Sequence, residues 1–189
     1  MKKGKIDIMW LGRGGMGVKT AALLLGEAFA YIGKYIKAFP EYGPERRGAP
    51  VVAFTRISDE PIKGHYGVKD PDIVVVIDKT LLKSKIFKNV IKNNTIILIN
   101  TNMKLDELKE RFNLRGNVKT VDASSISKEI FGKNLPNAPI LGALLRILKS
   151  HPLEEFIEVL KDRLMSKYEV EIVEKNIEAI KRAYMEVKE

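Results

Sequence analysis

Two stretches of this 189-residue chain combine residue types suited to holding an anion. The first is Gly12-Arg13-Gly14-Gly15-Met16-Gly17, a match to G-x-G-x-x-G, set between the apolar run Ile6 to Trp10 and an amphipathic helical pattern. Glycines in such a turn allow a phosphate to approach the backbone, and the helix that follows offers free N–H groups and the positive end of its dipole. Arg13 adds a cation that either pairs with the anion or is a solvated side chain beside a tight turn. The second stretch is Pro40-Glu41-Tyr42-Gly43-Pro44-Glu45-Arg46-Arg47-Gly48-Ala49-Pro50. Gly and Pro stiffen it at both ends, and its adjacent guanidinium groups suit bidentate binding of phosphate or carboxylate. The alternative is an Arg–Glu surface pair of little energetic weight.

A nicotinamide dinucleotide site needs more than the glycines. An Asp or Glu about 20 residues on, at the end of the second strand, must hold the ribose hydroxyls. Here that strand ends in Ala38-Phe39-Pro40, and Glu41 already lies beyond the proline. A self-contained dehydrogenase is therefore disfavoured. Cysteine is absent, which excludes disulfides, cysteine-ligated iron–sulfur clusters, zinc fingers and thiol nucleophiles. His65 and His151, the two histidines, do not make a His-rich metal site, and each reads as structural. No Ser/His/Asp grouping or suitably spaced carboxylate pair is present, so no catalytic residue and no metal ligand is expected. Asp78 falls at the C-terminal end of a central strand, where it either faces a ligand or caps the turn that follows. Tyr42 is a loop aromatic that could stack on a ligand or a neighbouring subunit.

Charge is unevenly spread. Residues 1–70 carry 12 basic and 7 acidic side chains, 71–130 carry 11 and 7, and 131–189 carry 10 and 10. The net +9 therefore belongs to the first 130 residues. The basic residues are dispersed, without a recognition helix or an RNA-type aromatic motif, so a phosphorylated cofactor or an acidic partner fits better than nucleic acid. The basic N-terminus is followed by an apolar run broken at Asp7 and Gly12, so no signal peptide is read there. Nothing approaches the roughly 18 apolar residues of a membrane span. A cytoplasmic protein is expected.

The elements that must position these residues alternate. Strands are predicted at Ile6 to Trp10, Tyr35 to Phe39 (stopped by Pro40), Val51 to Ile57, Asp72 to Asp78, Ile96 to Ile99 and Val118 to Val121, with a short return near Ile62. The unbroken β-branched run at 73–77 implies burial on both faces, as in the centre of a parallel sheet. Val18, Ala21, Ala22, Leu25, Phe29 and Ile32 form one helical face that Gly33 terminates. Ala138 to Leu148 is apolar enough for an inner helix, and the next begins at His151-Pro152. Val170, Val173, Ile177, Ile180, Tyr184 and Val187 make a docking stripe for the domain's own sheet or for another subunit. The expected fold is α/β: one domain over 1–189, a Rossmann-like open and mostly parallel sheet with flanking helices, an antiparallel insertion near 51–65 and a helical C-terminus.

The two anion-binding stretches, with Ala53-Phe54-Thr55-Arg56-Ile57, Pro71-Asp72 and its strand, and Pro136-Asn137-Ala138-Pro139-Ile140-Leu141-Gly142-Ala143, closely resemble the gamma subunit of the pyruvate:ferredoxin oxidoreductase (pyruvate synthase) family. The resemblance spans most of the chain in order; Met16, where many relatives are polar, is a minor departure. It implies a subunit of an enzyme that oxidatively decarboxylates pyruvate with coenzyme A and reduces ferredoxin. Alpha, beta and delta partner subunits would carry thiamine diphosphate, Mg²⁺ and iron–sulfur clusters. This chain would hold no cofactor of its own beyond helping to bind coenzyme A, through Gly12, Arg13, Gly14, Gly15 and Gly17 for the diphosphate and Arg46 or Arg47 for a nucleotide phosphate. A branched-chain 2-oxoacid enzyme and a ligand-free scaffold subunit remain as alternatives.

Overall fold

The computed structural model describes residues 4–41, 48–64 and 67–188. Among them, six strands, β1 (Lys5–Arg13), β2 (Tyr35–Glu41), β3 (Pro50–Ser58), β4 (Ile73–Val76), β5 (Ile96–Asn100) and β6 (Asn117–Val121), form one sheet in the order β2-β3-β1-β4-β5-β6. Neighbours β1/β4, β4/β5 and β5/β6 are parallel, while β3 runs antiparallel to both β1 and β2. Five strands thus share a direction, and the antiparallel insertion expected near 51–65 is β3.

Side-chain alternation sends each strand into two cores. Ile8 and Trp10 on β1 and Ile73 and Val75 on β4 enter one, and Met9, Leu11, Val74 and Val76 the other. All four β4 residues are fully buried, which confirms the double-sided burial implied by the β-branched run. Helices α1 (Val18–Tyr31), α4 (Ala123–Phe131), α5 (Asn137–Leu148), α6 (Leu153–Met165) and α7 (Val170–Glu186) cover the first face. A short 3-10 turn (Lys79–Lys83), α2 (Lys85–Val90) and α3 (Leu105–Phe112) cover the second.

Several buried polar groups tie these layers together. The fully buried Trp10 donates its Nε1–H to Thr55 Oγ1 at 3.0 Å, and the Thr55 hydroxyl donates to Ala22 O at 2.8 Å, tying β1, β3 and α1 together. Arg56 Nε lies 2.8 Å from Asp7 Oδ1, with both side chains under a tenth exposed. Asp7 and Asp72 exchange further hydrogen bonds, Asp7 N–H to Asp72 Oδ2 at 2.9 Å and Asp72 N–H to Asp7 O at 2.8 Å, which fix the entry to β4. Losing one member of such a buried pair strands the other charge.

Helix α7 settles the question of its apolar stripe. Val173, Ile177 and Ile180 are buried in the first core against α5, while Val170, at the helix start, is 54% exposed and outside the stripe. The closeness of the two helices depends on Gly142. A Cβ built there would sit 2.1 Å from Ile180 O and 2.8 Å from its Cα, so the backbones touch and only glycine fits.

The structure corrects several boundaries. β1 continues past Trp10 to Arg13 because Gly12 and Arg13 still pair with Val51 and Pro50 of β3. β2 runs through Pro40 to Glu41; as an edge strand it tolerates the missing N–H. The return predicted near Ile62 is not a strand, since residues 61–64 have no ladder partner. Pro152 is the N-cap of α6 rather than a residue of its first turn.

Gly142→Ala removes a helix-weakening glycine, yet it is expected to lower stability by about 3 kcal/mol, because the overpacking meets rigid backbone. Thr55→Val, which leaves the Trp10 N–H without a partner, is expected to cost about 1–3 kcal/mol. Urea denaturation checks both; a Gly142→Ala chain as stable as wild type contradicts the close crossing.

Candidate anion-binding site at the strand ends

β1 and β4 are parallel neighbours whose following helical elements go to opposite faces, α1 to one and the Lys79–Lys83 turn with α2 to the other. Such a reversal opens a crevice at the C-terminal ends of the two strands, the usual ligand position in open α/β sheets. Gly12 to Gly17 lies there. Gly12 still belongs to β1, and a Cβ on it would meet Val18 Cγ2 at 2.6 Å and Ile77 Cβ at 3.2 Å. Arg13 to Met16 forms a turn closed by Met16 N–H to Arg13 O at 3.1 Å, with Gly15 at φ +93° and open space around it. Gly14 N–H donates to Ala49 O at 3.1 Å. Gly17, at φ +73°, precedes α1 without any side-chain cap and without an acidic residue in the first turn.

A second helix begins at the same place. The Cβ position of Gly17 is 2.7 Å from Asn137 Cβ and 3.2 Å from its Nδ2, so Asn137, the first residue of α5, abuts the start of α1. α5 likewise lacks a side-chain cap and a first-turn acid. Two positive dipole ends therefore meet beside the glycine turn. Sequence reasoning missed this because Gly17 and Asn137 are far apart in the chain; the signal was present in the segment Pro136 to Ala143.

Arg13 is held by three contacts. Its Nε donates to Asp78 Oδ2 at 2.6 Å, Nη1 to Gly48 O at 2.8 Å and Nη2 to Thr80 Oγ1 at 2.8 Å. A guanidinium has five N–H donors, so two stay available on a side chain 36% exposed. Asp78 also caps the Lys79–Lys83 turn by accepting from Thr80 N–H at 2.9 Å, so the capping alternative read from the sequence is realised together with the Arg13 pair. Burial works against the Asp78 carboxylate, but the Thr80 amide and hydroxyl and the Arg13 guanidinium outweigh it and hold its pKa below the usual aspartate value. On the far side, Asn100 donates to Ile77 O and Ser124 Oγ, both at 2.9 Å, and accepts from Ser124 N–H at 3.1 Å, locking the ends of β4 and β5 to α4.

Arg46 and Arg47, with Tyr42 and His65, lie outside the described residues. Gly48, which follows Arg47 in sequence, accepts a hydrogen bond from Arg13 Nη1. His151 packs edge-on to Phe29 and Phe156, with ring centroids 6.3 and 5.9 Å away.

The Asp78 carboxylate contributes stability in full above its unfolded pKa of about 3.9, and that contribution is lost as pH falls through the lower folded value. Asp78→Asn is therefore expected to be less stable than wild type by about 1–2 kcal/mol at pH 7. The gap should hold down to about pH 5 and narrow below about pH 4. Urea midpoints measured across that range check this; a gap independent of pH contradicts the ion pair.

Comparison with known proteins agrees with this architecture. Residues 7–186 match the family described as pyruvate ferredoxin/flavodoxin oxidoreductase. The chain is 40% identical over 182 residues to pyruvate synthase subunit PorC of Thermotoga maritima, covering 96% of this chain and 94% of that one. It is 39% identical to the pyruvate/ketoisovalerate oxidoreductases common subunit gamma of Pyrococcus furiosus, covering 95% of each. The crystal structure of T. maritima pyruvate oxidoreductase subunit PORC superposes with a TM-score of 0.84 at 38% identity over 98% of both chains. The fold also recurs, at 22% identity and a TM-score of 0.77, in 31% of a chain of the 2-oxoglutarate:ferredoxin oxidoreductase of Magnetococcus marinus, solved with 2-oxoglutarate, coenzyme A and succinyl-CoA bound. This chain belongs to the pyruvate ferredoxin/flavodoxin oxidoreductase family, as a gamma-type subunit of an oxidoreductase complex.

Proposed function

We propose that this subunit helps to hold coenzyme A at the glycine turn. It is the gamma subunit of a pyruvate:ferredoxin oxidoreductase, an enzyme that oxidatively decarboxylates its 2-oxoacid. The observation that carries the coenzyme A reading is the meeting of two uncapped helix N-termini, α1 and α5, beside Arg13 at the crevice between β1 and β4. Gly15 leaves open space for a diphosphate there, while Gly12, packed on Val18 and Ile77, and Gly17, packed on Asn137, hold the turn close to α1 and α5. Arg13 organises the turn through Asp78, Thr80 and Gly48 and has two N–H donors left for the anion. Arg46 and Arg47 immediately precede Gly48, which contacts this turn, and take a phosphate of the nucleotide part.

Decarboxylation and electron transfer are the work of thiamine diphosphate, magnesium and iron–sulfur clusters on alpha, beta and delta chains, with ferredoxin as the acceptor. Among the described residues no helix is long and apolar enough to cross a membrane. The Pyrococcus relative is named as a subunit common to pyruvate and ketoisovalerate oxidoreductases. That favours a second reading in which this gamma chain also serves a branched-chain enzyme.

The assembled complex carrying Arg46→Ala and Arg47→Ala is expected to show a KM for coenzyme A raised about tenfold, with assembly unchanged. An unchanged KM removes the phosphate role, and loss of assembly without a change in KM points to a scaffold. Assays of the native complex with pyruvate, 2-oxoisovalerate and 2-oxoglutarate are expected to give the highest kcat/KM for pyruvate.

A further inference from the structure

The sheet edge opposite the glycine turn carries a feature that the coenzyme A reading does not use. Residues 79–119, the stretch that includes the Lys79–Lys83 turn, α2 and α3, hold ten basic and three acidic side chains, a net +7. Beneath that layer, where β5 and β6 begin, lies a cleft of about 620 Å³. Its floor is apolar, with Phe87 and Ile97 buried and Phe112 half-buried at one wall. Its mouth carries Lys88, Lys92 and Arg115, and no acidic side chain lines it. Lys92 pairs with Asp70 at 2.5 Å, whereas Lys88 and Arg115 make no ion pair among the described residues. Lys83 and Arg111 lie over the Phe112 ring, at 5.7 and 5.9 Å from its centroid, and add to the positive field around the opening.

We propose that this cleft seats an acidic segment of another subunit of the complex. An apolar side chain of that segment enters between Phe87 and Phe112, and its carboxylates meet Lys88 and Arg115. Charge complementarity selects the occupant: an apolar floor beside Lys88 and Arg115, which carry no ion pair among the described residues, suits a carboxylate-bearing chain with a hydrophobic anchor. Position argues against a small-molecule substrate. The cleft opens at the N-terminal ends of parallel strands, whereas open α/β sheets bind ligands at the C-terminal ends, where the glycine turn already lies. The proposal rests on the reading of the chain as a subunit and is independent of the coenzyme A assignment.

The test is reconstitution of the complex from wild-type or variant gamma chain and the remaining subunits, with the dissociation constant of the gamma chain measured at several salt concentrations. Lys88→Glu with Arg115→Glu is expected to raise that constant at least about tenfold at low salt, with the difference shrinking towards about 1 M salt. Phe112→Ala should weaken association at every salt concentration. Lys161→Glu with Lys181→Glu, in the groove between α6 and α7, should leave it unchanged, and thermal melting of each isolated chain confirms folding. The milder Lys88→Gln with Arg115→Gln keeps the test valid if charge reversal unfolds the chain. Wild-type affinity and salt dependence in a folded Gln variant overturn the proposal while leaving the subunit reading intact. A wild-type gamma chain that joins no other subunit overturns both.

Discussion

Helix α5 can lie where it does only because two residues lack a side chain. At its start Asn137 occupies the space that a Cβ on Gly17 would need, and midway along it Gly142 brings the backbone against Ile180 of α7. These contacts set the order of the layer: α1 and α5 begin together, α5 lies on the sheet, and α7 is pressed onto α5. The apolar stripe of α7 is buried as a consequence, and so is the inner face of α6. Because backbone cannot yield as a flexible side chain does, the contact of Gly142 with Ile180 fixes the spacing of α5 and α7. The juxtaposition of two helix N-termini at the strand ends rests on the other contact, Gly17 against the Asn137 side chain.

Arg13 plays the corresponding part for the turn itself. It links three pieces of chain that are distant in sequence: the end of β1, the residues after β4 through Asp78 and Thr80, and Gly48 just before β3. A site made from backbone amides needs such an external brace, since glycine supplies room for a ligand but no stiffness. Asn100 and Ser124 brace the β5 side in the same way, using all the hydrogen-bonding groups of a nearly buried amide side chain. Positive charge at this edge is accordingly tempered by Asp78, which holds Arg13 in place.

The main layers were legible in the sequence wherever hydrophobic pattern and burial coincide. The run at 73–77 could only be a strand buried on both sides, and β4 is that strand. The spacing of Val173, Ile177 and Ile180 likewise foretold a packed face, though not which helix it would meet. Pro40 misled because an edge strand forgives a proline that a central strand would reject, and edge position is a property of topology. The glycine turn was found from its motif, but its neighbours were not. Asn137 reaches it through tertiary packing, and the engagement of Arg13 depends on Asp78, 65 residues away. Gly142 carried no visible signal of its own: a single glycine inside an apolar helix looks the same whether it is tolerated or required.

The sheet's two outer strands are finished differently. After α7 the chain returns to β6, where Lys188 and Thr120 exchange hydrogen bonds of 2.8 and 3.0 Å. This closing contact blocks part of an edge that would otherwise offer unpaired amides and carbonyls to a strand from another molecule. At the other side, Pro40 interrupts the donors of β2. Both borders are thus discouraged from indefinite strand-to-strand growth. The chain can therefore wait for its partner subunits as a separate molecule, with its faces, rather than its open backbone, left to make the contacts of assembly.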